Sequence, residues 1–188
     1  MDGETLEWIR RSQAGDKEAF GLLFHKYKNL VFKTAYLMLG SVGEAEDLMQ
    51  DVFIDLFRSL HTYQPAKGAF TTWLYRVTVN DCLNHRRSLR WTPVSLDEAR
   101  DTAHTEPSAP DEDVLHAISK LSPKLRAVVI LRYYWDLSYA EITQVLNVPL
   151  GTVKSRLSQA LQMVKRDLEA SGIRGMNDLP GDLVAGEG

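Results

Sequence analysis

The sequence predicts an all-α protein: two small helical domains joined by a flexible linker, the second a helix-turn-helix domain. Three observations carry this. Apolar residues recur at helical period along almost the whole chain, with no alternating strand pattern of any length. A stretch rich in Ser, Thr, Pro and acids interrupts that pattern in the middle. One segment, Leu137 to Leu161, has the signals of two short-linked helices around a tight turn. The expected division is a first domain over 1–90, a flexible acidic linker over 91–113, a helix-turn-helix domain over 114–170 and a disordered tail over 171–188.

The elements follow in order. Leu6 and Ile9 begin a short helix that ends near Gly15. Asp16 is placed to cap a helix carrying Phe20, Leu23, Phe24 and Tyr27, and a further run from Leu30 to Leu39 stops at Gly40. Ser41 with Glu44 forms a capping box ahead of a long helix. That helix carries the stripe Ala45, Leu48, Met49, Val52, Leu56 and Leu60. Residues His61 to Gly68 hold Pro65 and Gly68 and form a loop, and Phe70 to about Arg87 form the next helix. Beyond the linker, Ser122-Pro123 reads as a cap with Pro at the first helical position. Leu125, Val128, Val129, Leu131 and Tyr134 fill the inner face of that helix.

The turn motif is the most informative stretch. Ser138 and Glu141 make a second capping box, and Ala140, Ile142, Val145 and Leu146 supply an apolar face. Asn147 falls where the chain turns sharply, a left-handed position that Asn tolerates. In the second helix Val153, Leu157, Ala160, Leu161 and Val164 point inward, leaving Thr152, Lys154, Ser155, Arg156, Ser158 and Gln159 outward. No acid occurs from Pro149 to Arg166. A merely solvated helix mixes charge signs, so a face of Lys, Arg, Thr, Ser and Gln points to phosphates and base edges.

The chain has 188 residues, 44% apolar and 25% charged, with net charge −3. The balance is globular. Its sign argues against nucleic acid until the charges are placed: residues 1–87 are net 0, 88–113 net −5, 114–170 net +4 and 171–188 net −2. Charge location decides steering. The lone cysteine, Cys82, allows no internal disulfide and is compatible with a reducing cytoplasm. The N-terminus is polar and acidic, unlike a signal peptide, and no run approaches the roughly 20 apolar residues that span a bilayer. A cytoplasmic protein is expected.

Two features of the first domain carry function. Asp47, Asp51 and Asp55 line up at four-residue spacing on the long helix, beside Gln50 and Ile54. Acid near a helix start is favoured by the dipole, which accounts for Asp47 but not for Asp55. Ile54 set among acids suits a basic protein partner. The second feature is the loop and helix from Tyr63 to Asn80, which interleaves Tyr63, Phe70 and Trp73 with Lys67, Arg76 and Asn80 and runs on to Arg86 and Arg87. Aromatic and basic residues together suit stacking on unpaired bases, although some of the aromatics belong in the core.

Five blocks, Glu44 to Phe53, Phe70 to Asn80, Leu121 to Arg126, Leu137 to Ile142 and Gly151 to Arg156, resemble bacterial RNA polymerase sigma factors of the extracytoplasmic-function (ECF) group, in order and spacing, over about residues 5–168. The resemblance implies partners and roles. Asp47, Gln50, Asp51 and Ile54 would meet the β′ clamp helices of core RNA polymerase. Tyr63, Lys67, Phe70, Trp73, Arg76, Asn80, Arg86 and Arg87 would serve the −10 element, with the 63–70 loop capturing a flipped base. Thr152, Lys154, Ser155, Arg156, Ser158 and Gln159 would read the −35 element, while the second domain rests on the β flap. Leu74 stands where housekeeping factors carry a second Trp, which implies weaker melting and a stricter promoter requirement. An anti-sigma factor is the expected regulator.

No catalytic set, HExxH, CxxC or phosphate-cradling Gly loop occurs, so no enzyme activity, metal, cofactor or small-molecule substrate is expected. The rival is a helix-turn-helix transcriptional regulator with a helical N-terminal sensing domain. It would leave the aromatic and basic helix without a role. A helical adaptor without DNA binding would leave the positive second domain without one.

Overall fold

The computed structural model describes residues 3–88 and 112–171. Eight α-helices and no strand occur among them: α1 (Gly3–Gln13), α2 (Lys17–Leu39), α3 (Val42–Ser59), α4 (Phe70–Ser88), α5 (Glu112–Ser119), α6 (Pro123–Val129), α7 (Tyr139–Leu146) and α8 (Leu150–Ala170). The expected flexible linker lies outside the described residues except for its last two positions, which open α5. The expected disordered tail lies outside them except for Ser171.

Local chemistry sets the helix ends. Asp16 accepts from the backbone N–H of Glu18 and Ala19, and Arg11 donates to the same carboxylate at 2.7 Å. These bonds hold the Asp16 carboxyl below its usual range, the backbone bond from Ala19 first. α2 ends at Gly40, whose φ of 83° is left-handed and suits a residue without Cβ. The two expected segments from Phe20 to Leu39 form one helix. Leu23, Tyr27, Val31, Ala35 and Met38 keep a single stripe at three- and four-residue spacing, and all are buried. Composition changes at Lys28 and Asn29, but the period does not.

α1, α3 and α4 pack around α2. The core takes Ile9, Leu48, Val52, Leu56, Leu60, Phe70, Leu74 and Val79. Removing one such Leu side chain costs about 2–5 kcal/mol. In the second domain α5, α6 and α7 pack against α8. Lys120 Nζ bonds the Asp167 carboxylate at 2.8 Å, tying the end of α5 to the far part of α8.

Two details depart from expectation. Ser122 stands at the start of α6, yet its side chain makes no capping bond. Its carbonyl accepts instead from Leu125 and Arg126, and Pro123 removes one donor that would need a partner. Ala140, expected on the inner face, is exposed, while Ile142 and Val145 are buried. α6 also continues as a π turn over Ile130–Tyr134 before Asp136, at φ 48°, reverses the chain. Arg132 pairs with Asp136 at 3.0 Å and also donates to Leu137 O, which holds that reversal.

Candidate nucleic-acid interface

The helix-turn-helix forms as its sequence requires. Ser138 Oγ accepts from Glu141 N–H and the Glu141 carboxylate accepts from Ser138 N–H at 2.9 Å, a complete capping box. The hydroxyl bond and then the backbone bond from Ser138 hold the Glu141 carboxyl below its usual range. Asn147 takes the left-handed conformation, φ 50° and ψ 50°. α8 then buries Val153, Leu157, Ala160 and Val164. Lys154, Ser155, Ser158 and Gln159 are exposed, with Thr152 and Arg156 partly so. The six predicted readers therefore share the outward face of one helix, at the spacing that its buried face dictates.

The loop between α3 and α4 is built from two short 3-10 turns, Leu60–Thr62 and Pro65–Lys67. Gln13 Nε2 donates to Leu60 O and Tyr63 O, both at 3.0 Å, and anchors the loop to α1. Tyr63 OH donates to Gly68 O at 3.0 Å and closes it. Gly68 has φ 146°, which favours glycine. A cleft of about 150 Å³ opens there, lined by Tyr63, Lys67, Gly68, Thr72, Trp73 and Arg76, with Gln144 of α7 at its edge. Lys67, Arg76 and Asn80 are exposed.

Not every predicted aromatic is available. Phe70 is completely buried, so it shapes the cleft from beneath and cannot itself stack on a base. Its ring packs on Tyr63 at 5.3 Å and Trp73 at 5.8 Å. Tyr63 is also largely buried, leaving Trp73, part-exposed, as the main free ring. Leu74 is fully buried. A second wedge residue beside Trp73 would thus have to sit in the core. Arg86 and Arg87 fall on α4, but their side chains lie outside the described residues.

Asp47, Gln50, Asp51 and Ile54 are all exposed on α3, Ile54 to 48%. Phe57, 47% exposed one turn further along α3, adds to the apolar surface. Beside them a second cleft, about 410 Å³, lies between α3 and α4 with Asp51, Ile54, Asp55, Arg58 and Asp81 on its walls. Asp81, absent from the sequence-based candidates, is the one whose chemistry the fold alters. Its Oδ2 is buried without a hydrogen-bond partner among the described residues. Burial first, then Asp55 and Asp51, push its carboxyl up to about 6. Only the approach of α4 to α3 reveals this. Among the described residues no group of three or more His, Cys, Asp or Glu is placed to hold a metal ion. No described helix is long and apolar enough to cross a membrane.

An acidic and apolar outer face on α3, an aromatic and basic cleft, and a helix-turn-helix on one chain are the features of a DNA-binding protein of transcription. Comparison with known proteins narrows the class. The sigma-70 region 2 family matches residues 23–92, and the sigma-70 region 4 family matches residues 111–164. The chain is 31% identical over 180 residues to the ECF RNA polymerase sigma factor SigW of Bacillus subtilis, covering 85% of this chain and 94% of that one. It is 32% identical over 178 residues to the ECF RNA polymerase sigma-E factor of Escherichia coli K12, covering 86% and 92%. The fold is also that of CnrH, solved with the cytosolic domain of CnrY, at TM-score 0.69 and 22% identity over 90% of this chain and 99% of that one. The chain belongs to the extracytoplasmic-function group of bacterial RNA polymerase sigma factors.

Proposed function

We propose that this protein binds core RNA polymerase through the outer face of α3 and directs initiation at promoters that it reads at two places. Asp47, Gln50, Asp51 and Ile54 dock on the clamp helices of the β′ subunit. The α3–α4 loop and Trp73, Arg76 and Asn80 capture the unpaired −10 strand, supported from below by Phe70 and continued by Arg86 and Arg87. Thr152, Lys154, Ser155, Arg156, Ser158 and Gln159 read the −35 element, and the rest of the second domain rests on the β flap. The working units are α1–α4 and α5–α8.

The observation that carries this is the outward face of α8, six polar or basic residues without an acid, on a chain that also presents an acidic, apolar docking helix. A DNA-binding regulator needs only the first. The protein performs no covalent chemistry. It holds a flipped base, whose unstacking costs a few kcal/mol and is offset by stacking and hydrogen bonds in the cleft. It acts in the cytoplasm, where the polymerase is, and an anti-sigma factor holds it inactive. A Bartonella quintana RpoE was solved with the anti-sigma factor NepR, which is consistent with this.

The test is run-off transcription with purified core polymerase and fragments of the source genome. Start sites sharing upstream sequence are expected. DNA binding without polymerase binding would favour the regulator instead. Asp51→Arg should abolish polymerase binding with helix content unchanged, and retained affinity would overturn the clamp assignment.

A further inference from the structure

The loop that builds the base-capture cleft is held from a helix without an assigned role. α1 carries none of the residues given above to polymerase or DNA, yet its last residue, Gln13, reaches across to the loop. Its Nε2 donates to Leu60 O and to Tyr63 O, each at 3.0 Å, so both amide hydrogens are used. Both partners are carbonyls, which only accept, so the nitrogen and not the oxygen of the amide faces them. α3 ends at Ser59 with Leu60 as its C-cap, where a helix leaves carbonyls without intrahelical donors. Gln13 stands there because the chain turns sharply behind it. Gly15 takes φ 93°, Asp16 N–H donates to Arg11 O at 3.0 Å, and the Arg11 guanidinium grips the Asp16 carboxylate at 2.7 Å. Tyr63 is thereby pinned at both ends. Its carbonyl accepts from Gln13, and its hydroxyl donates to Gly68 O at 3.0 Å on the far side of the loop. Between these bonds its ring lies 5.4 Å from the Trp73 ring, inclined at 35°. One amide thus links α1 to the part-exposed ring of the cleft.

We propose that Gln13 is a positioning residue for the base-capture cleft, its amide holding Leu60 and Tyr63 so that the loop is in shape before an unpaired base arrives. This rests on the assignment of that cleft to the −10 strand. Packing alone does not fix the loop, because from His61 to Ala69 only Tyr63 is buried. Its two 3-10 turns are three residues each, and such turns have poorer hydrogen-bond geometry than an α-helix. The bonds from Gln13 supply the missing constraint. A loop already ordered spares the base the entropy of ordering it. When only the ordered fraction binds, the observed dissociation constant rises in inverse proportion to that fraction.

The test compares Gln13→Glu and Gln13→Lys in the full chain bound to core polymerase, with single-stranded DNA of randomised sequence carrying a fluorophore as probe. Glu keeps the shape of Gln but offers the two carbonyls no donor. Lys changes the shape but keeps donors, on a stem long enough to reach. Gln13→Glu is expected to weaken probe binding about tenfold with affinity for polymerase unchanged, while Gln13→Lys stays within about twofold of the parent. A side chain that merely packs gives the reverse order. Gln13 is exposed, so both variants should keep the helix content of the parent. Amide hydrogen exchange in the free chain reads the loop without DNA. Exchange at Tyr63, Lys67 and Gly68, whose N–H groups bond within the loop, should quicken about tenfold in Gln13→Glu and not in Gln13→Lys. Parent-like probe binding by Gln13→Glu, or equal impairment of the two variants, would overturn the positioning role. Trp73→Ala separates the two assignments. Should it bind the probe as the parent does, the cleft is not the −10 site, and exchange then decides whether Gln13 holds the loop.

Discussion

Asp81 shows how one residue acquires a property that its neighbours in sequence do not announce. A carboxyl that titrates near 6 in the folded state and near 3.8 otherwise is more easily protonated when folded. It therefore destabilises the fold as pH rises above about 4, and the full penalty is reached once pH passes the folded value. Asp16 and Glu141, both held below their ordinary values, act with the opposite sign and lose their contribution only at lower pH. Asp81→Asn should raise the urea midpoint at pH 7, and the gain should vanish near pH 4. A gain equal at both pH values would show that packing, not charge, is responsible. Asn147 is the contrary case, since its left-handed turn is legible from residue type alone. Asn147→Val should cost about 1–2 kcal/mol by denaturant unfolding, because a branched Cβ meets the carbonyl in that conformation. Phe70 and Trp73 fall between these cases. Their spacing marks both as aromatic positions of one helix, but only the packing of Tyr63 and the loop shows that one lies beneath the cleft and the other beside it.

At the scale of elements, what a sequence discloses depends on whether the controlling interaction is local. Capping boxes and glycine stops are local, and the starts of α2, α3 and α7 fall where Asp16, Ser41 and Ser138 place them. The π turn after α6 is not local. It is fixed by Arg132 reaching forward to Asp136 and Leu137, and no periodicity in Ile130 to Tyr134 signals it. Loss of the α7 box by Ser138→Ala should lower stability by about 1 kcal/mol in thermal or denaturant unfolding. It should also weaken duplex binding if the turn positions α8. On α8 itself, Lys154→Ala should reduce the salt dependence of duplex binding by about one unit of slope, as expected for one lost phosphate contact. An unchanged slope with weaker binding would place Lys154 on a base edge instead.

At the scale of the molecule, the charge distribution was fully legible and the arrangement of the two domains was not. A second domain of net +4 on a chain of net −3 steers DNA to one end, whatever the total. The contacts of Arg126, Tyr75 and Trp135 across the two domains join residues with no shared pattern, and they emerge only in three dimensions. α8 has a consequence of a mechanical kind. Its 21 residues make a rod roughly 30 Å long, whereas the major groove is only about 12 Å wide. The six outward polar and basic residues, Thr152 to Gln159, all lie in the first half of that rod. The second half is gripped by Lys120 through Asp167, buries Val164 and Leu168 and leaves Met163 exposed. A rod held in this way passes a tilt of its outward half to the helices packed on the other, so α5, α6 and α7 turn with α8 as one piece.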